Sequence, residues 1–279
     1  MRNELAKYES LYFIKTKRYL RLTIMTVLAG ITLLLTLCEN EKENKPTNNN
    51  INWGDGVTDI DGNIYKSVII GDQEWMAKNL KTTHYADGTE ITLVESTSSW
   101  DALGYDDKAY CYYNNNENSE ASTYGALYTW AAAMNGAAST HNNPSGVQGV
   151  CPSGWHLPSD NEWKKLEMYL GISQADADYS GHRGTNEGSK LAGNLSLWSD
   201  GLLENDAAFG TFGFNVLPGG GRRYNGSFGH LGDNANFWSA TEHSSSDAWG
   251  RHLYHNYSSV HRYNDIKADG FSVRCVKDN

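Results

Sequence analysis

The sequence predicts an α+β domain with two main helices and short, mainly antiparallel strands. One helix is indicated by a capping box at residues 159–162, followed by apolar residues at helical spacing. The alanine-rich residues 122–135 indicate a second helix. Residues 214–276 instead alternate short apolar runs with turn residues, which is typical of short strands. Central helices beside a β-rich last third therefore predict the α+β class.

The N-terminal segment predicts export. Residues 1–37 contain six basic and two acidic side chains, and the 16 residues 22–37 form an uncharged apolar run. That run is short for a membrane span, which takes about 20 residues. Residues 1–38 therefore resemble a signal peptide, with Cys38 as the lipidated first residue of an outer-membrane, surface-exposed bacterial lipoprotein. Leu37 stands where a small residue is usual, so an uncleaved signal anchor is the alternative.

Charge and composition divide the rest of the chain. Residues 1–37 carry a net charge of +4 and the whole chain −10, so the remainder carries −14. A surface of this charge repels phosphate backbones, which argues against nucleic-acid partners. Residues 39–56 are polar and rich in Asn and Glu, and we expect them to form a disordered tether. The folded domain is then expected to span residues 57–279.

The first part of the predicted domain contains hairpin signals. Asp61-Gly62 lies between two strand-like runs, which predicts a two-residue hairpin turn, and Asp87-Gly88 predicts another turn. Trp75 and Met76 are predicted to enter the core. Residues 109–114 are a strand candidate. In the following helix candidate, apolar residues recur on one helical face and Gly136 ends the run.

The run CPSGWHLPSDNEW, residues 151–163, begins the main predicted helix. Ser159 can accept a hydrogen bond from the backbone three residues on, and Glu162 can reach back to the backbone of Ser159. Trp163 begins an apolar face at helical spacing, and Gly171 is placed to end the helix.

The last third predicts strands and connections. A short helix is expected near residues 189–192, and residues 217–234 are too polar and glycine-rich to predict a core element. The strand candidates are residues 214–217, 237–240, 248–254, 260–263 and 271–276.

Six ordered motifs identify a family resemblance: DIDGNIYKSVIIGDQEWMAKNLKTTHYADGTEI, TYGALYTWAAA, CPSGWHLPSDNEW, GFNVLPGGGRR, FWSATE and GFSVRCVKD. In this order they resemble the Fibrobacter succinogenes major paralogous domain over about residues 57–278. The resemblance implies a bacterial cell-surface lipoprotein domain whose molecular function is not established.

A more distant likeness concerns the fold. The WHLPSDNEW run, a Gly-Gly-Arg segment and a terminal Gly-Phe-x-x-Arg are similar to the sulfatase-modifying enzymes, which implies a C-type lectin-like fold. Those enzymes hold copper with a closely spaced cysteine pair. The cysteines here lie at positions 38, 111, 151 and 275, so the activity is not transferred.

The lectin-like resemblance also implies a disulfide. A cysteine near the first helix region of such folds commonly pairs with one on the last strand, which corresponds to Cys151 and Cys275. Connectivity does not follow from sequence alone, so three free buried thiols or a Cys111–Cys151 bridge remain alternatives.

Metal and catalytic signals are weak. His252 and His255 would point to opposite faces of a strand, which argues against a zinc site shared with His261. Residues 200–206 and 232–236 offer oxygen ligands, so calcium is possible as a cofactor and no other cofactor is expected. No familiar catalytic motif is present, and no catalytic residue is assigned. The candidate carboxylates for glycoside hydrolysis are Glu74, Glu162 and Glu242.

Recognition is the function that these observations favour. Residues 219–265 mix aromatic and basic side chains with Asn, Ser, Gly and His, which gives flat apolar faces with a polar rim. We expect a non-catalytic surface module that binds a glycan or a protein. An extracellular enzyme, for example a carbohydrate-active one, and a structural envelope or adhesin component are the alternatives. The predicted ligand residues are Arg222, Arg223, Tyr224, Trp249, Tyr254 and Tyr257, near the further aromatics Phe228 and Tyr263.

Overall fold

A six-stranded sheet forms the centre of residues 51–278, the part of the chain that the computed structural model describes. Cys38 and the predicted signal lie outside the described residues. The strands of this sheet are Gly181–Arg183 (β9), Gly219–Arg222 (β10), Phe228–Leu231 (β11), Asn234–Glu242 (β12), Asp247–Tyr254 (β13) and Val260–Ile266 (β14). Their order is β11-β10-β12-β13-β14-β9, with β10 and β12 parallel and the other neighbours antiparallel.

Three smaller sheets surround it within the described residues, so the fold is mixed and mostly antiparallel, as the predicted α+β class requires. The first pairs Val57–Thr58 (β1) with Ile64–Tyr65 (β2). The second contains Ser67–Ile70 (β3), Gln73–Met76 (β4), Trp155–His156 (β8) and Val276–Lys277 (β15). The third contains Thr92–Leu93 (β5), Ala109–Cys111 (β6) and Leu127–Tyr128 (β7).

Seven short α-helices lie between these strands in residues 51–278. They are Thr97–Asp101 (α1), Glu120–Tyr124 (α2), Trp130–Met134 (α3), Asp160–Leu170 (α4), Gln174–Asp178 (α5), Glu187–Leu191 (α6) and Leu202–Asn205 (α7). The predicted helix near residues 189–192 corresponds to α6. No helix in this part of the chain is long and apolar enough to cross a membrane.

Helix α4 forms as the sequence predicts. The Ser159 hydroxyl accepts from the N–H of Glu162, and the Glu162 carboxylate accepts from the N–H of Ser159 at 2.9 Å. Gly171 follows the helix, with φ at 127°. The buried apolar face contains Trp163, Leu166 and Leu170. Local capping and spacing were sufficient to predict this element because they act within one segment.

The prediction of one continuous helix over residues 122–135 is wrong. Residues 120–134 form α2, β7 and α3, because the backbone turns at Gly125, where φ is 80° and ψ is −162°. A Cβ at this glycine would lie 2.7 Å from the carbonyl oxygen of Leu80, so the chain packs closely there. Helix α3 then starts afresh, because the Thr129 side chain accepts from the N–H of Ala132. The apparent helical spacing spans three separate elements.

Two other expectations are corrected. The turn at Asp61-Gly62 is longer than two residues, since Asp59 and Asn63 pair and Gly62 takes a positive φ of 81°. Residues 217–234 contain β10 and β11, although they were expected to be a connection. The glycines explain this difference, because a Cβ at Gly220 would collide with the carbonyl oxygen of Gly229 on the neighbouring strand. Two of the predicted strands do not form as strands. Residues 214–217 contain one isolated β-bridge, and residues 271–276 contain isolated β-bridges and the first residue of β15.

The core contains Trp75 and Met76, as the sequence predicts. Trp75 and Met76 are fully buried, and the ring centroids of Trp75 and Trp163 lie 4.7 Å apart. A disulfide joins Cys151 to Cys275, so the implied pairing is confirmed and the Cys111–Cys151 alternative is wrong. Cys111 is a buried free thiol. The bridge connects the segment before β8 to the residue before β15.

Backbone hydrogen bonds join residues 52 and 54, which the sequence assigns to the tether, to β3. The N–H of Gly54 donates to the carbonyl of Ser67 at 3.0 Å, and the N–H of Ile69 donates to the carbonyl of Asn52 at 2.7 Å. Residues 51–56, expected within the tether, therefore pack along β3 as an additional extended segment.

Candidate functional site

One face of the central sheet packs on α4 through buried ion pairs. Glu167 accepts from Arg251 at 2.7 Å and from Arg183 at 2.6 Å. Asp160 accepts from Arg251 and from Arg262, both at 2.8 Å. The three arginines lie on β13, β14 and β9, so two carboxylates of the helix hold three neighbouring strands together.

Burial and charge oppose each other in this ion cluster. Burial disfavours the ionised form of Asp160, but the nearby charges of Arg251 and Arg262 lower the pKa of its carboxyl far below the usual range. Burial lowers the pKa of Arg183 to about 10, although Glu167 favours its charged form. The cluster therefore depends on every charge having its partner. The ion pairs fasten α4 to β9, β13 and β14.

A row of one asparagine and three histidine side chains crosses the opposite face of the same sheet. Asn236 of β12 pairs with His252 of β13, His252 pairs with His261 of β14, and His261 pairs with His182 of β9. Residues paired across strands point to the same face, so these side chains are neighbours. The ring centroids of His182 and His261 lie 4.5 Å apart, and those of His252 and His261 lie 5.5 Å apart.

Tyrosines extend this row into an open surface. Tyr257 stacks on His182 with ring centroids 3.8 Å apart, and Tyr263 stacks on His261 at 5.6 Å. Tyr254 contacts the same two histidines at 5.5 and 5.3 Å. Tyr257 is 43% exposed and Tyr263 is 50% exposed. We call these residues the histidine–tyrosine surface: His182, His252, Tyr254, Tyr257, His261 and Tyr263.

The electrostatics keep part of this surface uncharged at neutral pH. Burial, together with the charges of His252 and His182, lowers the pKa of His261 to about 4. Burial and His252 also lower the pKa of His182. The Nδ1 atom of His261 is buried and has no hydrogen-bond partner among the described residues. Unsatisfied polar atoms are costly, and functional sites are one place where proteins retain them.

His252 is held in the row from two sides. Its Nδ1 lies 2.9 Å from the side-chain oxygen of Asn236, and its Nε2 lies 2.9 Å from a carboxylate oxygen of Asp265. The contact with Asp265 has the distance of an ion pair, while neither atom has hydrogen-bond geometry. The position of His252 is thus fixed mainly by Asn236.

A small cleft of about 120 Å³ adjoins the histidine–tyrosine surface at Asn236. Arg223, Phe228 and His230 line the cleft with Asn236. The amide of Asn236 also donates to the carbonyl of Gly220 at 2.8 Å, which ties the row to β10. Asn236 therefore contacts the histidine–tyrosine surface through His252 and also lines the cleft.

The predicted ligand residues fall into two groups. Tyr254 and Tyr257 belong to the histidine–tyrosine surface, and Arg223 lines the adjoining cleft. Tyr224 is exposed, but it does not line the cleft, and its N–H donates to Asp269. Trp249 lies on the other face of the sheet, where the Arg262 guanidinium stacks 3.4 Å from its ring centroid.

The prediction that Arg222 is a ligand residue is wrong, because its side chain is buried. It is fully buried between the rings of Trp100 and Phe228, and its guanidinium donates to the carbonyls of Val94 and Glu95. An arginine next to glycines looked like a loop residue, although it fills the core beside a glycine strand. It holds α1 and β5 against β10 and is not available at the surface.

The histidines were not among the predicted ligand residues. His255 lies in the turn after the end of β13, where it hydrogen-bonds to the carbonyl of Asp200, so it is outside the row. His252 and His261 lie opposite one another because β13 and β14 form a hairpin, and its register does not follow from the residue pattern of either strand. His182 joins them through the long-range pairing of β9 with β14. No group of three or more His, Cys, Asp or Glu side chains in residues 51–278 is arranged to hold a metal ion.

The candidate catalytic carboxylates have separate structural partners. Glu162 is buried in the capping box and contacts His156 at 2.7 Å. Burial disfavours the charged form of His156, but Glu162 and Asp278 raise its pKa. Glu74 pairs with Lys277 and Glu242 pairs with Lys267. In the loops considered for calcium, the Asp200, Asp206 and Asp233 carboxylates accept hydrogen bonds from neighbouring protein groups.

Comparison with known proteins gives one relationship. A search of curated proteins finds no match, and a search of solved structures finds none. The profile of the Fibrobacter succinogenes major domain matches residues 68–277, which is most of the chain and nearly all of the described part. The chain therefore belongs to the Fibrobacter succinogenes major domain family.

Proposed function

We propose that the domain is a non-catalytic binding module that recognises a glycan through the histidine–tyrosine surface. The observation that supports this most is the set of contiguous rings, part of it exposed, on a sheet fixed from behind by ion pairs. Flat aromatic faces pack against the C–H faces of sugars, and phenol groups supply hydrogen bonds at their edges. The adjoining cleft adds Arg223 and Asn236 as polar groups.

The protonation state supports a neutral ligand. His261 and His182 have lowered pKa values, so they present uncharged imidazoles at neutral pH. An uncharged ring surface suits stacking with a neutral sugar better than pairing with a carboxylate or phosphate. We therefore propose that the ligand is a neutral glycan. A protein ligand is the alternative.

We also propose that the domain is displayed at the cell surface by a lipid on Cys38. The basic segment, the apolar run and the polar residues after Cys38 support this arrangement. Labelling of cells with a clickable palmitate analogue tests it. We expect label on the wild type and none on Cys38→Ala, and equal labelling of both would contradict the anchor.

The finer fold assignment is part of the same proposal. The α4 helix and a disulfide to the residue just before the last strand support a C-type lectin-like arrangement, as the distant resemblance implies. Small irregular strands and loops on a rigid support are common settings for binding sites.

A glycan array followed by titration tests the binding function. Replacing Tyr257 and Tyr263 together by alanine is expected to weaken binding of the best neutral glycan by about 5-fold to 150-fold, corresponding to the loss of about 1–3 kcal/mol. The melting temperature should change little, because both side chains are about half exposed.

Tyr105→Ala is the matched control, since Tyr105 is 47% exposed on a loop outside this surface. Its affinity should equal that of the wild type. Unchanged affinity in the Tyr257/Tyr263 variant would remove this surface as the site. Turnover of a glycan in the array would favour an enzyme instead.

A further inference from the structure

A second cleft of about 500 Å³ lies away from the histidine–tyrosine surface and shares no residue with it. It is bounded by the segment before β1, the end of β4 and the loops that follow α6 and α7. The side chains that define its chemistry are Trp53, Lys66, Lys78, Asn194, Phe209 and Asn215. Its volume is in the range of small-molecule sites, which is about 300–1,000 Å³.

The charges at this cleft are unbalanced. Lys66 and Lys78 both line it, and no aspartate or glutamate is among the lining residues. Within residues 51–278, neither lysine has a carboxylate within ion-pair distance. The chain outside residues 1–37 carries a net charge of −14, so a cleft whose charged lining residues are both lysines has the opposite sign of charge to that part of the chain.

A third cation lies directly behind the wall. Arg274 is fully buried and donates to the carbonyls of Phe214, Asn215 and Met76 and to the side-chain oxygen of Asn79. All of these acceptors are neutral. Burial lowers the pKa of Arg274 to about 9, and its guanidinium group still carries its positive charge at neutral pH. Because Asn215 also lines the cleft, this charge adds to the field of the two lysines.

The remaining lining suits a sugar ring. Trp53 is 49% exposed, and the Lys66 ammonium lies 5.6 Å from the centroid of its indole. An exposed indole provides a flat apolar face, and the amides of Asn194 and Asn215 provide donors and acceptors at its side. An isolated inorganic ion would leave most of this volume and the indole unused.

We propose that this cleft is a second binding site, and that its ligand is an acidic saccharide whose carboxylate or sulfate lies between Lys66 and Lys78 and whose ring packs on Trp53. The two lysines supply attraction, Arg274 adds positive potential through the wall, and the indole selects a ring over a bare anion. The site is independent of the neutral-glycan surface, so either can fail without the other.

Calorimetric titration of the full-length protein in detergent tests the proposal with three oligosaccharide probes. Oligogalacturonate carries carboxylates, a chondroitin sulfate oligosaccharide also carries sulfates, and a maltooligosaccharide is neutral. We expect at least one acidic probe to bind more weakly as salt rises, and the neutral probe not to bind at this cleft. Binding of oligogalacturonate would show that carboxylates are sufficient, and binding of chondroitin sulfate alone would indicate that sulfate is required.

Variants locate the site. Lys66→Gln with Lys78→Gln should weaken binding of the acidic probe at least tenfold, and Trp53→Ala should weaken it several-fold. The matched control is Lys108→Gln with Lys165→Gln, which removes the same charge at lysines outside the cleft. Tyr257→Ala with Tyr263→Ala should leave this binding unchanged.

Three results would overturn the proposal. Equal losses of affinity for the acidic probe in the Lys66/Lys78 variant and in the Lys108/Lys165 control would show that only the overall charge of the protein matters. Competition by inorganic sulfate at the concentration of the saccharide's own sulfate, with no effect of Trp53→Ala, would reduce the site to an ion site. Equal binding of a polyglutamate peptide would show that the site does not select a sugar.

Discussion

Glu167→Gln is expected to lower the free energy of unfolding by about 3–5 kcal/mol, as is usual when one partner of a buried ion pair is removed. Glu167 is fully buried, and its two carboxylate oxygens accept from Arg251 and Arg183. Without this negative charge, two buried guanidinium groups lose a counter-ion, and only Asp160 still compensates Arg251. Urea denaturation followed by tryptophan fluorescence measures the change.

Glu117→Gln is the control for Glu167→Gln, because Glu117 is exposed on the loop before α2. The control is expected to stay within about 0.5 kcal/mol of the wild type. Similar stability of the two variants would show that the α4 carboxylates do not hold the sheet. The histidine–tyrosine surface would then lack the rigid support that the proposal assigns to it.

Replacing both Cys151 and Cys275 by alanine should lower the free energy of unfolding by about 4–5 kcal/mol in the chain-entropy account. The two residues are 124 positions apart, so the cross-link removes a large loop from the unfolded ensemble. Both side chains are also fully buried beside α3 and β8, so their loss affects packing as well. The same denaturation measurement applies.

Cys111→Ala provides the comparison for the disulfide variant. Cys111 is buried but unpaired, and burial raises the pKa of its thiol to about 12, so it behaves as a small apolar side chain. Its replacement should cost about 1 kcal/mol. If the double variant unfolds at the urea concentration of the wild type, the bridge does not contribute to stability, and non-reducing peptide mapping would show whether it forms.

The elements predicted well from sequence are those that local interactions determine. Helix α4 depends on Ser159, Glu162 and Gly171, all within one segment, and it appears as predicted. Strand β10 was missed because nothing local favours a strand of glycines ending in arginine. Its formation depends on Gly220 approaching Gly229 and on Arg222 reaching carbonyls of a distant segment.

The candidate site was predictable only in part for the same reason. Tyr254 and Tyr257 stand out in the sequence because aromatic residues cluster among polar residues and glycines in the last third of the chain. His182 lies in a glycine- and serine-rich passage, and only the pairing of β9 with β14 brings it to His261. Trp249 looked equivalent to Tyr254 in sequence, but strand alternation places it on the α4 side with Arg262.

Ring chemical shifts of the histidines test the central claim most directly. The chain has nine histidines, and selective ¹⁵N labelling of their rings, with each signal assigned by a single His→Gln variant, separates His182 and His261 from those elsewhere, such as His141 and His243. Titration at neutral pH with the neutral glycan selected by the array should shift the His182 and His261 signals in a saturable way and leave His141 and His243 unchanged. Binding of the same glycan without any shift at His182 and His261 would contradict the assignment of the histidine–tyrosine surface as the recognition site.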